Sequence, residues 1–518
     1  MIRMAVDPRW FKLGEAANLL NLEGTEFREY QLNVINSIRR NGNTLVVLPT
    51  GLGKTFIGIS IIAGALASGK RAMLLAPTKP LTEQHYGVLT KMLKISSDEI
   101  LLLTGAIGKK ERAELENKAK LIIATPQTVA NDLKSGNFSM DNFGVVVFDE
   151  CHRAVGKYAY TYIANECTVR DILVVGLTAS PGSKKERINA LVGALGIKHI
   201  EVRITSDSDV MQYVMQKYIH IMYVDISKRV KEIAECLKPE IDASMSTLNS
   251  IGLLRFNTDY MPKGRLMDLG NQIRKIQATN YRMAAMSAWS KLLNLSHAQE
   301  LILTEGIAPF SSYVEGLYLK EKKNRSLDVL LRSKNMIAAR QYALEAIKNG
   351  EEHPKVIAVL DVLKDHRGKK VMLFAQYRST VKMLVEYINN NGIRAMSFVG
   401  KKEGVTQDTQ KRVVQDFRDG VFDVLVSSSI GEEGMDIPGV DVVIFYEPIP
   451  NEIRNIQRRG RTGRFDSGDI YIIVAKGTKD QIYLRISEQR ELKMLGLIRM
   501  VNAKLDVKNP VEGQSVLR

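Results

Sequence analysis

The stretch LPTGLGKT (48–55) sets two glycines, a lysine and a hydroxyl between Gly51 and Thr55, after the apolar run TLVVL and before an apolar segment opening at Phe56. A glycine turn between strand and helix aims backbone N–H groups at phosphate. Thr50, Gly51, Leu52 and Gly53 would form that cradle, Lys54 would meet the β- and γ-phosphates, and the Thr55 hydroxyl would ligate Mg²⁺. The strict GxxxxGK[ST] pattern wants glycine where Leu48 stands, but Gly51 and Gly53 keep the turn. A second stretch, GVVVFDECH (144–152), is an apolar strand ending in two carboxylates. Asp149 suits a second Mg²⁺ holder, and Glu150 suits a base for an attacking water. A third, QRRGRTGR (457–464), packs four arginines and two glycines into eight residues, the composition of an anion clamp. Taken singly, each has a plainer reading: a glycine-rich turn, an acidic helix cap or a basic surface run.

Such groups need rigid strands to hold them. From about 40 to 205 short β-branched runs alternate with helical stretches: 44–48, 72–76, 100–103, 121–124, 145–148 and 172–176. The rhythm returns at 371–374, 395–399, 424–427, 442–445 and 471–474. Runs apolar on both faces and separated by helices indicate parallel sheets covered on both sides. The fold expected is therefore α/β: two tandem lobes with a mainly helical insertion between them. The divisions are lobe 1 over 1–215, the insertion over 216–350, lobe 2 over 351–485 and a tail over 486–518. In the insertion, Ile273, Ile276, Met283, Met286 and Leu293, then Leu327, Leu330, Ile337, Leu344 and Ile347, fit two apolar helix faces.

Composition narrows the partners. The 518 residues carry 73 Lys and Arg against 57 Asp and Glu, a net charge of +16, which favours a polyanion. Three widely spaced cysteines, without a CxxC pair, argue against disulfides or a cysteine zinc site. No signal peptide is legible at the N-terminus, and Phe56–Ala67 is too short to span a bilayer, so a buried helix and a cytoplasmic location are expected (nucleoid-associated in a prokaryote).

The three motifs, in this order on two α/β lobes, resemble the superfamily 2 helicases, whose lobes are RecA-like. Further stretches agree. FREYQ (27–31) resembles the adenine-reading segment, which implies Gln31 on the adenine edge and Arg28 stacked on the base. APTKPL (76–81), TG (104–105) and TPQ (125–127) resemble nucleic-acid-contacting motifs, which implies roles for Pro77, Thr78, Lys79, Thr104, Gly105, Thr125 and Pro126. LTASP (177–181) resembles the coupling motif, implying that Thr178, Ala179 and Ser180 link hydrolysis to strand movement. FAQYR (374–378) and SSSIGEEGMDIP (427–438) resemble lobe-2 motifs, with Gln376 on nucleic acid and Gly434 and Asp436 near the ribose. By the same match Gln457, Arg461 and Arg464 face the γ-phosphate, the arginines as fingers. The cofactors implied are ATP and Mg²⁺.

DECH with RAVGKYAY (153–160), GEEGMDIP and YEPIPNEIRNIQRRGRTGR (446–464) resemble more narrowly the archaeal Hef helicase and the Fanconi anaemia M translocase. That likeness implies an ATP-driven helicase or translocase on forked or branched DNA, in fork and Holliday-junction processing and repair. It also implies a sliding clamp or repair protein as partner, although no clamp-binding motif is legible. The alternative is a double-stranded-RNA helicase or sensor of the Dicer-like group, which shares a helical insertion. Cys151 stands where the family commonly has alanine, away from the metal and water roles, so activity should survive. No ERKxxxD nuclease motif follows the helicase core, which leads us to expect no nuclease activity, in a helicase-only member or a shortened chain.

The insertion itself carries 19 Lys and Arg against 13 Asp and Glu over 221–350. Arg274, Lys275 and Arg282 fall away from the first apolar face and form a candidate phosphate-tracking stripe. Lys322, Lys323 and Arg325 form a second, and a merely solvated face is the plainer reading of both. Trp289 and Tyr281 lie beside the apolar stripe, so packing is expected of each, with base stacking the alternative.

Overall fold

The computed structural model describes residues 13–22, 26–105, 108, 112, 115–116, 118–156, 158–214, 217–254, 261, 263–400, 406–428, 438–449 and 468–508. Aliphatic runs buried on both faces build its first sheet from β1 (Thr44–Val47), β2 (Arg71–Leu75), β3 (Ile100–Leu103), β4 (Leu121–Ala124), β5 (Phe143–Phe148), β6 (Leu173–Thr178) and β7 (His199–Val202). Every pairing is parallel, in the order β3-β4-β2-β5-β6-β1-β7. The helices of this lobe are α1 (Leu13–Asn18), α2 (Glu29–Asn41), α3 (Lys54–Ala67), α4 (Lys79–Met92), α5 (Pro126–Lys134), α6 (Ala159–Val169), α7 (Lys185–Leu195) and α8 (Ser208–Met211). In α3 the ten residues from Phe56 to Ala65 are all buried, which is why its sequence is apolar all round.

The second sheet holds β8 (Lys217–Val224), β9 (Val371–Phe374), β10 (Ala395–Phe398), β11 (Val424–Ser427), β12 (Val442–Phe445) and β13 (Gly468–Ala475), in the order β10-β11-β9-β12-β13-β8. Two of these thirteen strands, β7 and β8, escape the sequence reading, and β8 corrects a boundary. Residues 217–224 fall within the expected helical insertion, yet they pair with β13 from Lys217↔Gly468 to Val224↔Ala475. The chain thus reaches the second sheet before it enters the insertion. A solvent-exposed edge strand lacks the continuous apolar run that marks a central one, so it was hidden.

The insertion comprises α9 (Lys228–Ser250), α10 (Lys263–Ile273), α11 (Thr279–Glu300), α12 (Ile307–Tyr318), α13 (Arg325–Leu331) and α14 (Lys334–Lys348) around a core of its own. Both expected apolar faces need correction. The chain breaks at 274–278 between α10 and α11, and Met283 is 66% exposed. In α14 the buried positions are Met336, Ala339, Ala343 and Ala346, while Ile337, Leu344 and Ile347 are exposed. Alanines let helices approach closely, and a pattern counted on large side chains overlooks them.

Lobe 2 adds α15 (Pro354–Asp365), α16 (Arg378–Asn390) and α17 (Gln407–Arg418), and the chain continues into α18 (Lys479–Lys508). Much of the expected tail is therefore one long helix. Leaving β13, it returns to the first sheet, where Met494, Ile498 and Val501 join the lobe-1 core and Asn502 Oδ1 accepts from the Ile200 N–H at 2.7 Å.

A buried polar cluster fastens the insertion to lobe 2. The π-helical turn Leu301–Glu305 continues α11. The Lys355 ammonium donates to Thr304 O at 2.7 Å and to Asp480 Oδ2 at 2.9 Å, with both charged side chains fully buried. Tyr446 donates to Glu305 O at 2.6 Å, Thr380 donates to Glu305 Oε2 at 3.0 Å, and Tyr377 donates to Glu300 Oε1 at 2.6 Å. Lys479 also pairs with Glu300. Burial raises the Glu305 carboxyl above the usual range, against the pull of Lys355 and Lys479. Burial, with the Lys355 charge, pushes the His353 imidazole down to about 3, so it stays neutral.

Candidate active site

Strand order brings the separate motifs to one edge. β6 lies between β5 and β1, with Val47 opposite Thr178 and Phe148 opposite Gly176. The loop after β1, LTAS at the end of β6 and DECH after β5 therefore leave the same carboxyl edge, where parallel α/β sheets bind ligands.

Gly51 and Gly53 adopt positive φ, 88° and 68°, and Gly53 heads α3. Glycine takes this conformation without the strain a β-carbon brings. At Gly53 a β-carbon would also stand 2.7 Å from Gln31 Nε2, so that side chain would have to shift. Thr50 and Gly51 lie at the accessible turn of the loop, and Leu52 is buried beneath it. The Tyr30 hydroxyl donates to Leu52 O at 2.8 Å and so ties FREYQ to the loop. Gln31 Oε1 accepts from the Arg28 N–H at 3.0 Å, and the Arg28 guanidinium lies 5.3 Å from the Tyr213 ring centre. Lys54 Nζ donates to Leu48 O at 2.9 Å and Pro49 O at 3.2 Å, folded back over the loop. Thr55 follows in the first turn of α3.

Asp149 is buried, and its Oδ2 lies 2.7 Å from His85 Nε2. Burial would raise its carboxyl, but the His85 hydrogen bond and the His85 and Lys54 charges prevail and hold it below the usual range. An ionised, acceptor-only oxygen and a nearby hydroxyl are hard ligands of the kind Mg²⁺ takes alongside phosphate, so Thr55 and Asp149 fit such an ion. Glu150 sits at φ 47°, an uncommon conformation for a non-glycine residue. His152 Nδ1 lies 3.3 Å from Glu150 Oε2 and 3.2 Å from Thr178 Oγ1. Thr178 Oγ1 in turn accepts from the Ser180 N–H at 3.1 Å, and Ser180 Oγ donates to Met494 Sδ at 2.9 Å. Hydrogen bonds thus run from His152, beside Glu150, through Thr178 and Ser180 to α18. Cys151 is buried, and burial pushes its thiol well above the ordinary range, so it packs and does no chemistry.

The residues proposed to meet nucleic acid divide into three groups. Pro77, Thr78 and Lys79 open α4, Thr104 and Gly105 follow β3, and Thr125 and Pro126 open α5. These leave the neighbouring strands β2, β3 and β4 at one edge. Gln376 is exposed after β9 in lobe 2. Arg274, Lys275 and Arg282 are exposed together in the insertion at the α10–α11 turn, away from the first group in the chain. Gly434, Asp436, Gln457, Arg461 and Arg464 lie outside the described residues.

Sequence reasoning missed several groups here. His85 on Asp149 and Tyr213 beside Arg28 carry no motif signal, and Tyr30 stands in FREYQ without a role of its own, because their contacts exist only once the chain is packed. Arg112 and Lys134 line a hollow with Gly105, Thr128, Asn131 and Ser135, adding cations beside TG and TPQ. Below it, Arg112 pairs with Asp132 at 2.7 Å, and burial followed by the Asp132 charge pushes the Glu116 carboxyl up to about 7. Tyr281, expected to pack, is 63% exposed, whereas the Trp289 indole is tucked in and donates to Leu266 O at 2.6 Å. Lys411 of α17 meets Glu83 of α4 at 3.0 Å, a polar contact between the lobes.

Comparison with known proteins places this arrangement. Three family profiles match: the res subunit of type III restriction enzymes over 24–183, a helical bundle of proteins provisionally described as ATP-dependent RNA helicases over 229–353, and the helicase conserved C-terminal domain over 354–466. The solved Pyrococcus furiosus Hef helicase domain is 36% identical, with a TM-score of 0.72 over 90% of this chain and all of that one. A Methanocaldococcus jannaschii protein provisionally described as an ATP-dependent RNA helicase is 36% identical over 92% of this chain and 61% of its own length. The ATP-dependent DNA helicase mph1 of Neurospora crassa is 30% identical over 88% of this chain and 41% of its own. The chain thus spans roughly half the length of these curated relatives. No helix among the described residues is long and apolar enough to cross a membrane.

Proposed function

The chain belongs to the Hef, Mph1 and Fanconi anaemia M family of superfamily 2 helicases, ATP-driven enzymes, and on that premise we propose that it is a helicase or translocase acting on forked or branched DNA. The observation that carries the catalytic half of this reading is the meeting of Lys54 and Asp149 at one sheet edge, where the Lys54 charge helps to keep Asp149 ionised. ATP would bind with its phosphates on the loop from Thr50 to Thr55, and Gln31 and Arg28 would meet the base. Mg²⁺, held by Thr55 and Asp149, would neutralise phosphate charge. Lys54 would leave the Leu48 and Pro49 carbonyls for the β- and γ-phosphates. Glu150 would accept the proton of the attacking water, with His152 beside its carboxylate. His152 also touches Thr178, so a change at Glu150 would be felt along the path to Ser180 and α18. Gln457, Arg461 and Arg464 would face the γ-phosphate from lobe 2, with Gly434 and Asp436 near the ribose.

The DNA half rests on two surfaces. The ends of β2, β3 and β4 would track one strand through backbone contacts, which carry little sequence information. The exposed cations Arg274, Lys275 and Arg282 would grip the second arm of a fork. Because the insertion is fastened to lobe 2, that grip would move with lobe 2 as the cleft closes on ATP. The provisional name of the M. jannaschii relative favours a second reading, duplex RNA as the activating ligand. ATPase stimulation by forked DNA, single-stranded DNA and duplex RNA at one fixed salt concentration separates the two. Forked DNA should stimulate most, and stronger stimulation by duplex RNA would overturn the proposal.

A further inference from the structure

The outer end of the insertion bears a feature that phosphate binding does not explain, and its interpretation rests on the fork-acting reading above. α11 is fixed at its carboxyl end, where Glu300 bonds Tyr377 and Lys479 and the following turn is held by Lys355, Thr380 and Tyr446. At 1.5 Å per residue its other end lies roughly 30 Å away. There the eight consecutive residues 277–284 are all exposed, and burial resumes only at Ala285. Tyr281 is 63% exposed and Met283 66%. These apolar side chains contribute little to the core of the insertion, so folding gives no reason for their placement.

Their setting is cationic. Arg274, Lys275 and Arg282 are exposed at this turn, and no acidic residue stands between 269 and 284. Cations hold phosphates, and an exposed aromatic ring among them offers a stacking face to a base. In an intact duplex the bases are already stacked on each other. A ring at the end of a rigid arm meets an accessible base face only where pairing is broken, as at a branch point.

We propose that Tyr281, backed by Met283, stacks on the unpaired base at the branch point of forked DNA while the surrounding cations hold the flanking phosphates. Tyr281 then tells a fork from a duplex, a distinction that backbone contacts alone do not make.

The test uses the full chain with a fork carrying 2-aminopurine at the branch point and a fully paired duplex of the same sequence, titrated over a salt series. Tyr281→Ala should weaken fork binding between about 5- and 150-fold, the loss expected of one base–aromatic stack, and leave duplex binding unchanged. Tyr281→Trp should retain fork affinity. 2-Aminopurine emission should be quenched by the unmodified protein and by Tyr281→Trp, but not by Tyr281→Ala. The slope of log K against log salt should stay the same in Tyr281→Ala, because no phosphate contact is lost. Joint replacement of Arg274, Lys275 and Arg282 by alanine should flatten that slope by about 2.7 if all three touch phosphates. Thermal unfolding should not shift in Tyr281→Ala, since the side chain is exposed. Unchanged fork affinity in Tyr281→Ala, or equal losses on fork and duplex, would overturn the stacking role while leaving the fork reading in place. If the unmodified protein binds fork and duplex alike, the fork reading fails, and the stacking role fails with it.

Discussion

Lys355→Met should destabilise the module formed by lobe 2 and the insertion far more than its single-charge change suggests. Lys355 and Asp480 are both fully buried, 2.9 Å apart, and the ammonium also lies 4.4 Å from the Tyr446 ring centre. Methionine keeps the apolar stem but leaves Asp480 without its cation and removes the charge that opposes burial at Glu305. Breaking a buried ion pair from one side typically costs about 3–5 kcal/mol, because the remaining charge is uncompensated. For a unit of slightly more than 250 residues each kcal/mol lowers Tm by about 2 °C, so the expected drop is roughly 6–10 °C. The double variant Lys355→Met/Asp480→Leu should recover most of it, since an apolar pair of similar volume avoids desolvating two ions. The deficit of the single variant should also shrink between pH 8 and pH 5. A buried carboxyl with a raised pKa takes up a proton as pH falls, and the neutral form tolerates burial. Calorimetric or circular-dichroism melts of the three proteins at both pH values measure all of this. A drop of less than about 2 °C in Lys355→Met, or a double variant no more stable than the single one, would refute the view that these charges fasten the insertion to lobe 2.

Two further outcomes concern lobe 1. Lys54→Ala should weaken ATP binding, whereas Glu150→Gln should keep binding and lose hydrolysis, because an amide cannot accept the proton; equilibrium binding of a fluorescent ATP analogue beside steady-state phosphate release distinguishes them, and near-normal turnover in Glu150→Gln would remove Glu150 from the water-activating role. Glu116→Gln should raise Tm at pH 8 and raise it less at pH 5. With the folded carboxyl pushed up to about 7, the unfolded chain gives up this proton first, so stability falls as pH rises from the ordinary carboxyl range to about 7 and stays low above it, despite Arg112 and Arg71 nearby.

Much of this protein was legible because phosphate chemistry and parallel sheets both leave local marks. Gly51, Gly53 and Lys54 could be read together because a phosphate-binding turn is built from consecutive residues. Eleven strands were readable because a strand buried on both faces needs an unbroken apolar run. Local patterns failed where a role depends on what lies opposite. β8 reads as ambiguous until β13 is beside it, and the helices of the insertion pack through alanines that carry no strong periodic signal. His85 becomes a partner of Asp149 only when α4 stands against the end of β5, 64 residues away in sequence. The Lys355–Asp480 pair spans 125 residues, and the Met494–Ser180 contact spans 314. The sequence by itself determined the chemistry available, because motif residues act through their own functional groups and short backbone turns. Only the tertiary structure decided which groups share a desolvated site, which module moves with which lobe, and that Tyr281 is exposed while Trp289 is half-buried. Burial and long-range pairing are properties of the packed chain, and no local spacing encodes them.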